Sequence, residues 1–183
     1  MLVFYIFMKN NTMKTLLSLS ALLITLTLTA QSNTATWYLN NTSGTGIQSP
    51  TNTASGVYST AMGNETTASG PISTAMGLGT TASGENSTAI GFYTTASGDY
   101  STAMGRSNTA SGRISTTMGN GTTASGYAST AMGHQTTASG DRSTAMGQQT
   151  TASGIFSTAS GYNSTADGFI TTVIGSYNTV DEN

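Results

Sequence analysis

The chain has no cysteine, two prolines, one histidine, one tryptophan and only 7% charged residues over 183 positions. Without thiols, neither a disulfide nor a thiolate metal site holds this fold. From residue 31 onward Arg106, Arg113 and Arg142 face seven carboxylates, which leaves −4 there and −2 for the whole chain. So sparse and weakly acidic a charge offers no footprint for a nucleic-acid backbone, and no nucleic-acid partner is expected. His134 lies beside Gln135 and has no second histidine for metal or proton-relay chemistry. With no fixed acid partner either, a Ser-His-Asp triad has no basis. Glu65, Glu85, Asp99 and Asp141 are scattered and do not form the aspartate-bearing glycine nonapeptide that binds calcium. The glycines of Gly77-Leu78-Gly79 and Gly119-Asn120-Gly121 follow the repeat and open no helix, so they are not phosphate loops. The expectation is a non-enzymatic protein with no catalytic, cofactor or metal site.

Long apolar runs are confined to the N-terminus. Lys14, the run from Leu16 to Leu28, and the small residues Thr29 and Ala30 have the layout of a secretory signal peptide cleaved near Ala30. Met13 or Met1 serves as the start, the stretch before Met13 being an upstream extension. The run is short for a membrane span and broken by Thr and Ser; a retained N-terminal anchor is the alternative reading. The organisation expected is a leader over 1–30, a cap or linker over 31–51, a repeat head over 52–177, and a truncated or frayed C-terminus over 178–183.

What the chain has in abundance is Gly, Ser, Thr and Ala in register. From Asn52 it reads NTASGVY, STAMGNE, TTASGPI, STAMGLG, and so on to Tyr177, eighteen heptads without insertion. The fourth position alternates: Ser55, Ser69, Ser83 and Ser97 in one set, Met62, Met76, Ile90 and Met104 in the other, so the true unit is fourteen residues and there are nine. A coiled-coil heptad is excluded, because every unit carries Gly at position five and β-branched Thr at position two, both poor in helices. Five residues such as Ser59 to Gly63 instead suit a strand, with the next two residues turning the chain and Gly supplying the corner.

Two short strands per coil, each paired to its equivalents above and below at about 4.8 Å, give an all-β parallel β-roll, a flattened solenoid. Alternation puts positions two and four on one face and positions one, three and five on the other. Thr and Met are expected inward, each Met reaching across a thin interior to the Ser of the other half-coil; the opposite assignment makes Ala and Gly the interior. The inward reading also places the Asp167 carboxylate near the core, where it needs a partner. Burying one Met and two Ala per coil returns little against the ordering of fourteen residues, so a homo-oligomer joined through the Ala/Gly face is expected.

The ends differ from the repeat. Trp37 and Leu39 are expected to fold over the first coil, since solenoids need an atypical cap. Phe169, Ile170, Val173, Ile174 and Val180 begin a second cap or a joint. Asn64, Asn86, Asn120 and Asn163 stand in formal glycosylation acceptor triplets. The variable turn residues at positions six and seven are free to carry function. Tyr58, Phe92, Tyr93, Tyr100, Tyr127, Phe156 and Tyr162 are the candidate ligand-facing residues, aromatics suited to weak multivalent contact.

The pattern S-x-A-x-G every seven residues, paired into fourteens, resembles the YadA-like head repeats of trimeric autotransporter adhesins over Asn52 to Tyr177. The nearest matches to that family's S-V-A-I-G are Ser87-Thr88-Ala89-Ile90-Gly91 and Thr171-Thr172-Val173-Ile174-Gly175. The resemblance implies a left-handed β-roll, three chains about a threefold axis, and a secreted or cell-surface adhesin that binds host matrix, glycan or other cells. It also implies outer-membrane association where such a head belongs to a longer adhesin, the membrane being met only through a leader or an anchor outside this sequence. Thr in place of the family's Val, and Met or Ser in place of its Ile, make this repeat more polar. Two other readings stand beside adhesion. One is an inert structural spacer; the other is an ice- or water-ordering solenoid, which requires the Thr ladder to be exposed.

Overall fold

The computed structural model describes residues 51–180 and the backbone of Tyr38–Leu39 and Ile47–Gln48. The expected leader over 1–30, the side chains of Trp37 and Leu39, and residues 181–183 lie outside the described residues. Every regular element among the described residues is a strand. The strands stack in parallel as a solenoid of about nine coils, fourteen residues apart in register, so that Thr102 lies between Thr88 and Thr116, and Met104 between Ile90 and Met118.

The two half-coils fold differently. Each Met-type heptad forms a five-residue strand, from Thr60–Asn64 to Thr172–Ser176, and these belong to an eleven-stranded sheet. Each Ser-type heptad forms only a two-residue strand, from Thr53–Ala54 to Thr179–Val180, and these make a ten-stranded sheet. The first sheet begins with Tyr38–Leu39 antiparallel to Ile47–Gln48, which in turn pairs parallel with Thr60–Asn64.

Glycine explains the difference. In Met-type heptads it takes a positive φ, +116° at Gly105 and +126° at Gly119, a region L side chains rarely enter. This is the corner role expected from sequence. In Ser-type heptads its φ is not positive and it is buried; a Cβ would collide with the next coil in both halves, on Gly98 with the Gly112 carbonyl and on Gly105 with that of Gly119. In the Ser-type half the turn opens at the glycine itself, with the Ser101 amide donating to the Gly98 carbonyl at 3.2 Å. The expected five-residue strand therefore survives in one half-coil and shortens in the other.

The faces are the reverse of the expected ones. Alanine fills the interior: Ala61, Ala68, Ala75, Ala82 and their equivalents through Ala166 have no exposed surface. Position one lies inside too, as Ser73, Thr80, Ser87 and Thr94. Thr at position two and Met at position four point outward and are partly exposed, and the position-four Ser of the other sheet is exposed. A fourteen-residue coil spends its length on two strands and two turns, and the sheets then close on methyl groups and hydroxyls, with no room for Met to cross. Asp167 is accordingly exposed and needs no buried partner. The Ala/Gly face, expected to join chains, is instead consumed inside each coil.

A polar interior must find its own hydrogen bonds. Asn108, fully buried at position one, does so: its Nδ2 donates to the carbonyls of Met104 and Gly119, at 2.5 and 2.9 Å, and its Oδ1 accepts from the Thr122 amide at 2.9 Å. Asn52 makes the matching pair with Gly63 and Thr66. Where Thr takes that position, as at Thr80, Thr94, Thr122, Thr136 and Thr150, the hydroxyl has no partner among the described residues. Thr136→Asn should gain the clamp to Gly147 and Thr150. It is expected to raise stability by about 1 kcal/mol, read as a higher melting temperature by circular dichroism.

Candidate functional site

Each coil presents two edges, and their chemistry differs. The edge after the Ser-type strands carries Val57-Tyr58, Pro71-Ile72, Glu85-Asn86, Asp99-Tyr100, Arg113-Ile114, Tyr127-Ala128, Asp141-Arg142, Ile155-Phe156 and Phe169-Ile170. The edge after the Met-type strands carries mainly polar pairs, among them Asn64-Glu65, Arg106-Ser107, His134-Gln135 and Gln148-Gln149. Of the expected ligand-facing residues, Tyr58, Tyr100, Tyr127 and Phe156 share the first edge. Phe92, Tyr93 and Tyr162 stand on the second.

On the first edge the second turn residue always adopts the left-handed conformation. Its φ is +57° at Tyr58, +56° at Ile72, +58° at Tyr100, +63° at Ile114, +59° at Phe156 and +55° at Ile170. Glycine and asparagine suit this region, whereas a β-branched residue is strained there. The other edge relieves the same strain at Gly79, Gly121 and Asn163; the first does so only at Asn86. Its bulky residues are also exposed: Ile72 by 53%, Ile114 by 44% and Ile170 by 65%. Neither local conformation nor packing accounts for apolar bulk at these positions.

Stacking organises what stands there. The Arg142 guanidinium lies 5.3 Å from the Tyr127 ring centre and 5.1 Å from that of Phe156, so it bridges three successive coils. Phe156 meets Phe169 edge to face at 6.1 Å, and Arg113 covers Tyr100 at 5.7 Å. The carboxylates secure the turns: Asp99 Oδ1 accepts from the Glu85 amide at 3.0 Å, and Asp141 Oδ1 from the Tyr127 amide at 2.9 Å. Each reaches one coil back, a fourteen-residue spacing that is readable in the sequence. On the second edge Phe92 and Tyr93 pack edge to face at 4.5 Å with Arg106 over Phe92. Tyr162 meets Tyr177, and a hydrogen bond that the Tyr177 phenol donates to this neighbour raises it above its usual pKa.

Sequence reasoning missed Ile72, Ile114, Ile170, Phe169 and the two stacked arginines as members of one surface. The signal that finds them is the conformational demand of the second turn residue, combined with separation of the heptads by half-coil. Among the described residues no group of three or more His, Cys, Asp or Glu side chains is placed to hold a metal ion. His134 is exposed on the polar edge, with Asn120 and Gln148 as its register neighbours.

Ile114→Asn removes a β-branched residue from a left-handed turn without touching a buried contact. Thermal unfolding is expected to show it more stable than the parent by about 1 kcal/mol.

The family described as YadA head domain repeat (2 copies) matches residues 54–80, 73–94, 96–122, 124–150 and 152–168. No curated protein matches the chain. The matched segments cover more than half of the sequence and follow the coils of the solenoid, and the chain belongs to the YadA head domain repeat family.

Proposed function

We propose that this chain is the non-enzymatic head of a homotrimeric cell-surface adhesin, exported through its N-terminal leader, which attaches to host matrix, glycan or other cells through the turns of one edge. The observation that carries this reading is the strained apolar edge. Six bulky side chains sit in left-handed turns that Gly or Asn would fill at lower energy. Strain kept at exposed positions is a mark of a working surface. Their spacing, one coil of about 4.8 Å, lays them along roughly 40 Å of edge. Many weak contacts in a row give avidity without a deep pocket.

The trimer rests on the outer face of the five-residue strands. Met62, Met76, Ile90, Met104, Met118, Met132 and Met146 form a column in register, flanked by the Thr column of the same strands. A continuous apolar column on a partly exposed sheet is the face with most to gain by association. The opposite sheet carries Ser at those positions and gains little. Three copies turned inward on their methionines leave both edges free.

Sedimentation equilibrium of the purified chain is expected to give three times the chain mass. Met104→Lys with Met118→Lys should reduce it to the single-chain mass; a monomeric parent would overturn the assembly. In adhesion assays on matrix-coated plates, glycan arrays and cells, the parent should bind. Tyr58→Asn, Ile114→Asn and Phe156→Asn together should lower binding by about tenfold or more while thermal stability holds or rises. A trimer that binds none of these surfaces favours the inert spacer.

A further inference from the structure

The ten-stranded sheet turns a second regular surface outward. Thr67, Thr81, Thr95, Thr109, Thr123, Thr137 and Thr151 stand in one column, aligned coil to coil without a bulge. Two residues on, Ser55, Ser69 and their equivalents to Ser153 make a parallel column, all exposed. The ladder continues through these serines, as the Ser97 and Ser111 amides donate to Ala110 and Ala124 of the next coil, both at 2.9 Å. The result is a grid with a spacing of about 4.8 Å along the solenoid and about 6.6 Å across it.

We propose that this grid is a water-ordering face that binds ice. Three independent observations carry the proposal. Among the described residues, the hydroxyls of both columns from Thr67 to Ser153 have no hydrogen-bond partner, so each is free to hold a water. No charged side chain enters either column before Asp167, and a hydrated charge would disrupt an ice-like layer. Finally, the exposed Ser is invariant over eight coils while the turns three residues away have diverged in every coil. Interior packing does not demand that constancy, because the Ser side chain points out. Strand preference does not demand it either, since Ser is no strand former and the other sheet carries Met or Ile at the same position in every repeat but that of Ser160.

The physics of such a face is pre-organisation. Thr has a stiff χ1 and a rigid strand beneath it, so hydroxyls and methyls already occupy fixed points. Ordering one water at a flexible site costs entropy; on a repeating rigid grid, waters held by neighbouring hydroxyls also bond to one another. The coil spacing is close to the separation of like oxygens along the basal plane of ice, so the layer can continue into a crystal. The face lies on the sheet opposite the methionine column and is present in one chain as in three. This activity rests on neither the trimer nor the adhesive edge.

The test is freezing of the purified chain itself. Nanolitre osmometry is expected to show a gap between melting and freezing points, with single ice crystals growing faceted. Thr109→Tyr and, separately, Ser111→Tyr at the centre of the grid should abolish most of that gap, while Phe156→Asn on the edge leaves it unchanged; circular dichroism confirms that each variant folds. Round crystals without a gap, up to the solubility limit of the folded parent, overturn the proposal. So does a gap that both folded grid variants retain.

Discussion

Close approach of one coil to the next at glycine is the constraint on which everything else depends. Gly98, Gly112 and Gly126 lie against the carbonyl of the glycine one coil on, with no space for a Cβ. That approach sets the coil spacing, and the spacing sets the ladder of amide bonds that replaces an ordinary core. Hydrophobic burial here amounts to columns of alanine methyls. A fold of this kind is held by backbone hydrogen bonds and tight repetition, and it expels its larger side chains. The outward Met column, the outward Thr/Ser grid and the crowded edges are three results of one narrow interior.

Much of this was legible. Eighteen uninterrupted heptads alternating Ser and Met at position four gave the coil length, the coil number and the all-β class. Gly at position five and Thr at position two excluded a helix. Inside and outside are the reverse of what residue size predicts. Met is the largest recurring apolar residue, and in an ordinary domain it would be inside. In a fourteen-residue coil available width decides, and the glycine collisions that report width exist only once the coils are stacked. The unequal half-coils are hidden in the same way, since Gly at position five reads alike in both and meets the next coil closely in both, but takes the positive φ of a corner in only one.

The candidate site was legible residue by residue but not as a surface. Tyr58, Tyr100, Tyr127 and Phe156 stand out as aromatics, and a linear reading mixes them with Phe92, Tyr93 and Tyr162 from the far edge. Ile72, Ile114 and Ile170 pass unnoticed until the backbone reveals a left-handed turn in which they are misfits. Asp99 and Asp141 likewise gain meaning only when their partners are seen one coil back. In a solenoid, residues fourteen apart are neighbours, and sequence distance has to be folded at that period before chemistry can be read.

The exact register of the coils makes length a separable property of this molecule. Thr88, Thr102 and Thr116 are interchangeable partners in the ladder, so excision or duplication of one fourteen-residue block rejoins like with like. Each such event shortens or extends the body by about 4.8 Å and subtracts or adds one nearest-neighbour interface to its stability. The number of blocks thus acts as a vernier on reach. Descendants of different span retain the same cross-section, edges and faces, and selection can adjust how far the surface extends without redesigning what it touches.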